Sequence, residues 1–464
     1  MNNSILAIDI GTTNIISIVA TNDYNNKINI LGVSKVQSDG ILKGNIVDIN
    51  LAGNCIKESV LKAISSSGST ITKAVVSLSG ANTKTLRSNG SVNIPAGQIT
   101  QNEIKQVLKM ALYNANVIPD YDVIHVLPIL FRVDDGAAIS NPLNMNGTRL
   151  EVLVNVITAK KTSLTNVRNA LKIANLDVDK FVLTGYANAI ATLEDDQKKL
   201  GSIVINLGGT TSQLVAYKDS TIIYTDFLPI GSEHITNDIS VMLHTPYSAA
   251  NMVKKQYGTL LPMNEDDSEH NIKKVKLPLL GNEVETKEIS LDQIQPILHA
   301  RIEEILLLIH DRLVESSVIE SIDGGIVLTG GMSLTPGIKE LASKVFSTLP
   351  VKISNPVNIQ NGYIDFNNPT MSTIVGLLLY ELSTSDNFEL DSNSDLKSNI
   401  PDNIQSQTTQ ANEQTQVNET RHNEQEHIND KISNIGSIHE KHIKHTEEKP
   451  KPLSGLLQKI SRWI

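Results

Sequence analysis

Three glycine-rich segments hold the residue types best suited to chemistry. They are Asp9-Ile10-Gly11-Thr12-Thr13-Asn14, Asn206-Leu207-Gly208-Gly209-Thr210-Thr211-Ser212 and Leu328-Thr329-Gly330-Gly331. A Gly-Thr turn presents bare backbone N–H groups and hydroxyl donors, which are the groups that hold phosphate. One such turn is usually only a turn. Two of them, roughly two hundred residues apart, can close on a triphosphate from opposite sides. Asp9 is suited to hold Mg2+ through water, because hard cations take oxygen ligands and keep much of their hydration. Gly330 and Gly331 would let a flat base or ribose lie against backbone. The expected nucleotide contacts from these segments are Asp9, Gly11, Thr12, Thr13, Gly208, Gly209, Thr210, Thr211, Gly330 and Gly331, with a nucleoside triphosphate and Mg2+ as the ligands.

The elements that must position these residues are legible. Ile5–Ile10 and Ile15–Val19 are apolar runs flanking the first turn, which reads as a β-hairpin. Ser202–Leu207 and Gln213–Tyr217 repeat the arrangement around the second turn. The third segment continues into Leu334-Thr335-Pro336-Gly337-Ile338-Lys339-Glu340-Leu341, so it reads as strand, glycine turn and helix. Strands and helices alternate in both halves, which predicts an α/β fold of two related domains around a cleft.

Composition narrows the function classes. The chain has 464 residues, too many for one compact core. Aromatic residues are only 4% and the formal net charge is −10, which argues against a nucleic-acid partner. Cys55 is the single cysteine, excludes an intrachain disulfide and reads as a small core residue. Met1–Ser4 lacks a basic leader, and no run approaches the roughly 18 apolar residues of a membrane span. Composition breaks near residue 386, and from Phe388 to Trp463 no aromatic residue intervenes. Such a stretch buries too little apolar area to offset ordering entropy, so residues 386–448 are expected to be a disordered linker. Five of the eleven histidines fall there, which reflects its polar composition rather than a metal site.

Residues 449–464 differ again. After Lys449-Pro450-Lys451-Pro452 come Leu453, Leu456, Leu457, Ile460 and Ile464, which share about a 100° arc of a helix. Trp463 sits at the edge of that arc, and Lys459 and Arg462 lie on the polar side. This is the pattern of an interfacial helix that folds on an anionic phospholipid membrane.

The three segments, in this order, resemble the actin, sugar-kinase and heat-shock-chaperone ATPase superfamily. Within it, the chain is similar to the bacterial FtsA family. Residues 38–48 (SDGILKGNIVD), 76–80 (VSLSG), 125–128 (HVLP), 141–151 (NPLNMNGTRLE), 231–239 (GSEHITNDI), 328–331 (LTGG) and 375–378 (VGLL) carry the similarity. The resemblance implies an actin-like duplicated, ribonuclease-H-like fold. Residues 1–81, 160–196 and 355–385 would form the first subdomain, and 197–231 with 305–354 the second. It further implies an inserted subdomain at 82–159 for filament and divisome contacts, and a small subdomain at 232–304 that takes the C-terminal tail of FtsZ. Lys254 matches a lysine that contacts adenosine, whereas Asn251 stands where a glutamate is usual. The implied function is a cell-division scaffold that polymerises, anchors FtsZ to the cytoplasmic face of the inner membrane at the septum, and recruits later divisome proteins. Asn206 and Gln213 replace acids that order Mg2+, and Asn14 replaces a phosphate-facing lysine. Binding is therefore expected to survive while hydrolysis is slow or absent, and no residue is assigned a catalytic role. Two rivals stay open: a sugar-kinase-type phosphotransferase, and another actin-like scaffold of pilus assembly or cell shape.

Overall fold

Two five-stranded sheets repeat one plan in this computed structural model, which describes residues 4–23, 27–261, 274–359, 365–382 and 388–397. The first sheet contains β1 (Ile5–Ile10), β2 (Asn14–Asn22), β3 (Ile28–Gln37), β6 (Lys73–Leu78) and β10 (Asp177–Leu183), in the order β3-β2-β1-β6-β10. The second contains β11 (Ser202–Leu207), β12 (Ser212–Lys218), β13 (Thr221–Leu228), β16 (Ile326–Thr329) and β17 (Val351–Ile353), in the order β13-β12-β11-β16-β17. In each sheet an antiparallel three-strand meander is followed by two strands parallel to the first. Parallel neighbours need crossovers, which helices supply. α1 (Ile49–Ser67) precedes β6, α3 (Lys161–Ile173) precedes β10, α8 (Gln295–Glu315) precedes β16 and α9 (Ile338–Val345) precedes β17. The duplicated α/β architecture expected from the residues is present, in the actin-like plan that the resemblance implied.

Burial follows from this layering. Leu6, Ala7 and Ile8 of β1 are covered on both sides, as the unbroken apolar run requires. Ile56 and Val60 of α1 and Leu164 of α3 pack on one face of the first sheet. α4 (Thr184–Thr192) and α10 (Ser372–Leu382) pack on the other. α4 also touches β11 and β12, so it joins the two sheets, and the short α5 (Asp195–Leu200) then leads into β11. In the second half Ile302, Ile305 and Ile309 of α8 cover Ile203 and Ile205. α6 (Ser232–Met242), α7 (Tyr247–Tyr257) and the hairpin β14 (Lys274–Leu279)–β15 (Asn282–Ser290) add Ile239, Val253, Leu277 and Ile289 to that same cluster. The region expected at 232–304 therefore shares its core with the second sheet.

The insertion builds its own layer. β7 (Thr83–Asn93), β8 (Tyr121–Val133) and β9 (Arg149–Lys160) form an antiparallel sheet covered by α2 (Gln101–Asn114), with a separate core around Val107, Phe131 and Val154. A small hairpin, β4 (Ile41–Leu42) and β5 (Asn45–Ile46), sits ahead of α1. The start of the expected linker needs correction. Phe388–Lys397 is folded, and its strands β18 (Glu389–Leu390) and β19 (Leu396–Lys397) extend the inserted sheet beside β8. Most of its partners lie far away in sequence. Phe388 meets the edge of Phe131 at 6.4 Å between ring centres, and the Tyr186 hydroxyl donates to Glu389 Oε2 at 2.7 Å. The Lys397 ammonium lies 3.4 Å from the ring centre of Tyr380. Buried His125 accepts the Leu183 N–H on Nε2 at 3.2 Å, and burial pushes its pKa down to about 4, so it is neutral near pH 7. The rest of the expected linker and the helix at 449–464 lie outside the described residues. Among the described residues no helix is long and apolar enough to cross a membrane.

Candidate functional site

The two turns are built alike. Gly11 N–H donates to the Asn14 carbonyl at 3.1 Å, and Gly208 N–H donates to the Thr211 carbonyl at 2.9 Å. Asp9 pairs with Ile16 across the first hairpin, and Asn206 pairs with Gln213 across the second. Asp9 and Asn206 thus occupy equivalent positions in the two halves. The turns also meet. Thr210 N–H donates to Thr12 Oγ1 at 3.2 Å, Thr13 Oγ1 donates to Glu233 at 3.4 Å, and Lys43 N–H donates to Thr210 Oγ1 at 3.2 Å. A Cβ on Gly209 would collide with Thr13 Oγ1, so the approach of the turns requires glycine there.

Between the halves lies a cleft of about 480 Å³, within the range of small-ligand sites. Asp9 sits in its wall with one carboxylate oxygen accepting the Ser77 hydroxyl at 2.8 Å. Burial pushes its pKa up to about 6, against the opposing effect of that hydrogen bond. The buried Gln213 Oε1 also lines the cleft and has no hydrogen-bond partner among the described residues. An unpartnered acceptor and a carboxylate lining one cleft suit the water shell of a divalent cation, so Asp9 and Gln213 fit a hydrated Mg2+. At the third segment Gly330 adopts φ +87°, where a Cβ would lie 2.7 Å from the Leu207 carbonyl. A Cβ added to Gly331 would meet only the Thr370 methyl, at an ordinary contact distance of 3.8 Å. A planar ring fits against such bare backbone. The Lys254 ammonium is held by the Ser232 carbonyl at 2.9 Å and Thr236 Oγ1 at 2.7 Å. Burial lowers its pKa to about 8, with Glu233 opposing.

Asp9, Gly11, Thr12, Thr13, Gly208, Gly209, Thr211, Lys254, Gly330 and Gly331 all line this one cleft. Thr210 does not; it is buried and faces the first half through its bonds to Thr12 and Lys43. The membrane-facing set Leu453, Leu456, Leu457, Lys459, Ile460, Arg462, Trp463 and Ile464 lies outside the described residues. Ser77 was missed because its role depends on the pairing of β1 with β6, which sets Ile8 opposite Val76 and so carries Ser77 to Asp9. Lys35, Lys255, Ser232 and Thr370 also line the cleft, and no glycine or threonine pattern marks them.

Comparison with known proteins gives a consistent assignment. A family model described as "Cell division protein FtsA" matches residues 203–376, and one described as "SHS2 domain inserted in FTSA" matches residues 80–158. The cell division protein FtsA of Helicobacter pylori (strain J99) is 33% identical over 417 residues, covering 84% of both chains. That of Borreliella burgdorferi is 32% identical over 382 residues, covering 82% of this chain and 91% of the relative. Among solved structures, the "PilM-PilN type IV pilus biogenesis complex" matches with a TM-score of 0.57 and 15% identity, over 82% of this chain and 100% of that one. At that identity the likeness concerns the fold alone. By its sequence relatives, and with the inserted domain in place, the chain belongs to the FtsA family of bacterial cell-division proteins.

Proposed function

We propose that this chain binds ATP with Mg2+ in the cleft, assembles with copies of itself, and anchors the FtsZ ring to the cytoplasmic face of the membrane at the septum. The observation that carries the nucleotide part is the pair of turns with one hydrogen-bond pattern, meeting beside an acid and a glycine-lined wall. Asp9, Gly11, Thr12, Thr13, Gly208, Gly209 and Thr211 would hold phosphates and hydrated Mg2+, while Gly330, Gly331 and the stem of Lys254 would flank the nucleoside. Bound Mg2+ neutralises phosphate charge; this chain's own residues orient the nucleotide and exclude water. Asn206 and Gln213 are amides and take no proton from a hydroxyl or water, which favours a slow or absent hydrolysis over a phosphotransferase. The FtsZ tail would dock on the region 232–304, and later divisome proteins on the inserted domain.

The helix at 449–464 would be the membrane contact. One short amphipathic helix binds weakly, but an array on a polymer binds by avidity. Assembly would therefore turn weak anchors into firm attachment. The test is co-sedimentation with anionic liposomes, with and without ATP, comparing the full chain with one ending at Lys449. Pelleting of the full chain alone, strengthened by ATP, is the expected result. Equal pelleting of both, or of neither, overturns the anchor.

A further inference from the structure

We infer that Lys35 is the residue that holds the terminal phosphates of the nucleotide from the first half of the cleft, and so sets its preference for triphosphate over nucleoside. The inference rests on the nucleotide reading above and adds a residue that the glycine-rich segments do not include.

The argument begins from charge. A nucleoside triphosphate carries several negative charges, and burying them without a cation is costly. The turns around Gly11 and Gly208 supply N–H groups and hydroxyls but no cationic side chain, since Asn14 is neutral. Asp9 adds a negative charge of its own. Three lysines line the cleft among the described residues: Lys35, Lys254 and Lys255. Lys254 is already committed to Ser232 and Thr236, and both it and Lys255 belong to α7 in the second half. Lys35 is the one cation contributed by the first half among the described residues lining the cleft.

Its placement follows from register. Asp9 on β1, Ile16 on β2 and Lys35 on β3 stand directly opposite one another. Residues opposed in this way share a face of the sheet. Two strand spacings of roughly 4.8 Å separate the Asp9 and Lys35 backbones, and both residues line the cleft. The equivalent row in the second half is Asn206, Gln213 and Phe227, which carries no ionisable group. Lys35 is exposed and has neither an ion pair nor a hydrogen bond among the described residues, so its ammonium is available to a ligand.

The test is calorimetric titration of the full chain with ATP, ADP and adenosine, each with Mg2+, using wild type, Lys35→Met and Lys35→Met combined with Asn14→Lys. Lys35→Met should weaken ATP about ten-fold, the worth of a charge-assisted hydrogen bond at the low end. ADP should weaken less and adenosine not at all, and the ATP effect should shrink as salt is raised. Asn14→Lys, which returns a cation to the adjacent turn, should recover most of the loss. Undiminished ATP affinity in Lys35→Met overturns this inference alone, as does equal weakening of ATP and adenosine. If the wild type binds no ATP, the nucleotide reading itself is overturned and this inference with it.

Discussion

Asp9 shows how one side chain ties stability to the site. Its neighbours on β1 are apolar, and the Ser77 hydroxyl compensates its carboxylate only in part. The folded chain therefore takes up the Asp9 proton at a pH near 6, above the ordinary carboxylate range. Between about pH 4 and 6 the folded state binds more protons here than the unfolded state, so this residue's contribution to stability falls as pH rises through 6. Asp9→Asn should raise the melting temperature of nucleotide-free protein at pH 7.5 by relieving a cost of at most about 3 kcal/mol. The gain should vanish near pH 4, which thermal unfolding followed by circular dichroism at a series of pH values would check. The same variant should bind ATP with little dependence on Mg2+. Asp9 and its glycine turn were legible as chemistry because their types are unusual at the end of a buried strand. Ser77 and Lys35 were not, because serine and lysine are ordinary residues whose roles arise only from strand pairing.

At the scale of elements, the folded strap Phe388–Lys397 is the instructive case. Composition placed it in the linker, since only Phe388 and Leu390 are strongly apolar near its start. Both are buried, against the inserted sheet's core, and Glu389 is buried with its carboxylate held by Tyr186. Asn393 Nδ2 donates to the Asp179 carbonyl at 2.9 Å and Phe181 N–H donates to Ser392 Oγ at 3.0 Å, so the strap binds the first sheet as well as the insertion. Phe388→Ala should cost about 3 kcal/mol through cavity formation. A chain ending at Lys397 should melt like the full chain, whereas one ending at Leu382 should melt markedly lower. Differential scanning calorimetry of the three chains would show it, and equal melting of the two truncations would mean that the strap contributes nothing. The glycine-turn hairpins, by contrast, were readable because a tight turn and its flanking apolar runs are local features.

For the whole molecule, the notable feature is that the two halves touch through the same turns that would hold phosphate. Thr12, Thr13 and Lys43 reach Thr210 and Glu233 directly. A ligand that engages both turns adds contacts across this seam and favours the folded chain by mass action. At a hundred times its dissociation constant, ATP should add about 2.7 kcal/mol to stability, seen as a concentration-dependent rise in melting temperature. Adenosine at the same concentration should raise it less. A thermal shift that is the same for ATP and adenosine would show that the turns take no part. Sequence alone determined the duplicated α/β plan, the three glycine segments and the polar break before the tail, because each is written in local periodicity, turn chemistry or composition. Only the tertiary structure decided that Ser77 serves Asp9, that Lys35 stands in the Asp9 row, that Thr210 faces its opposite turn, and that the strap is folded. Each of these depends on pairing between residues distant in the chain, where register and burial rather than residue type assign the role.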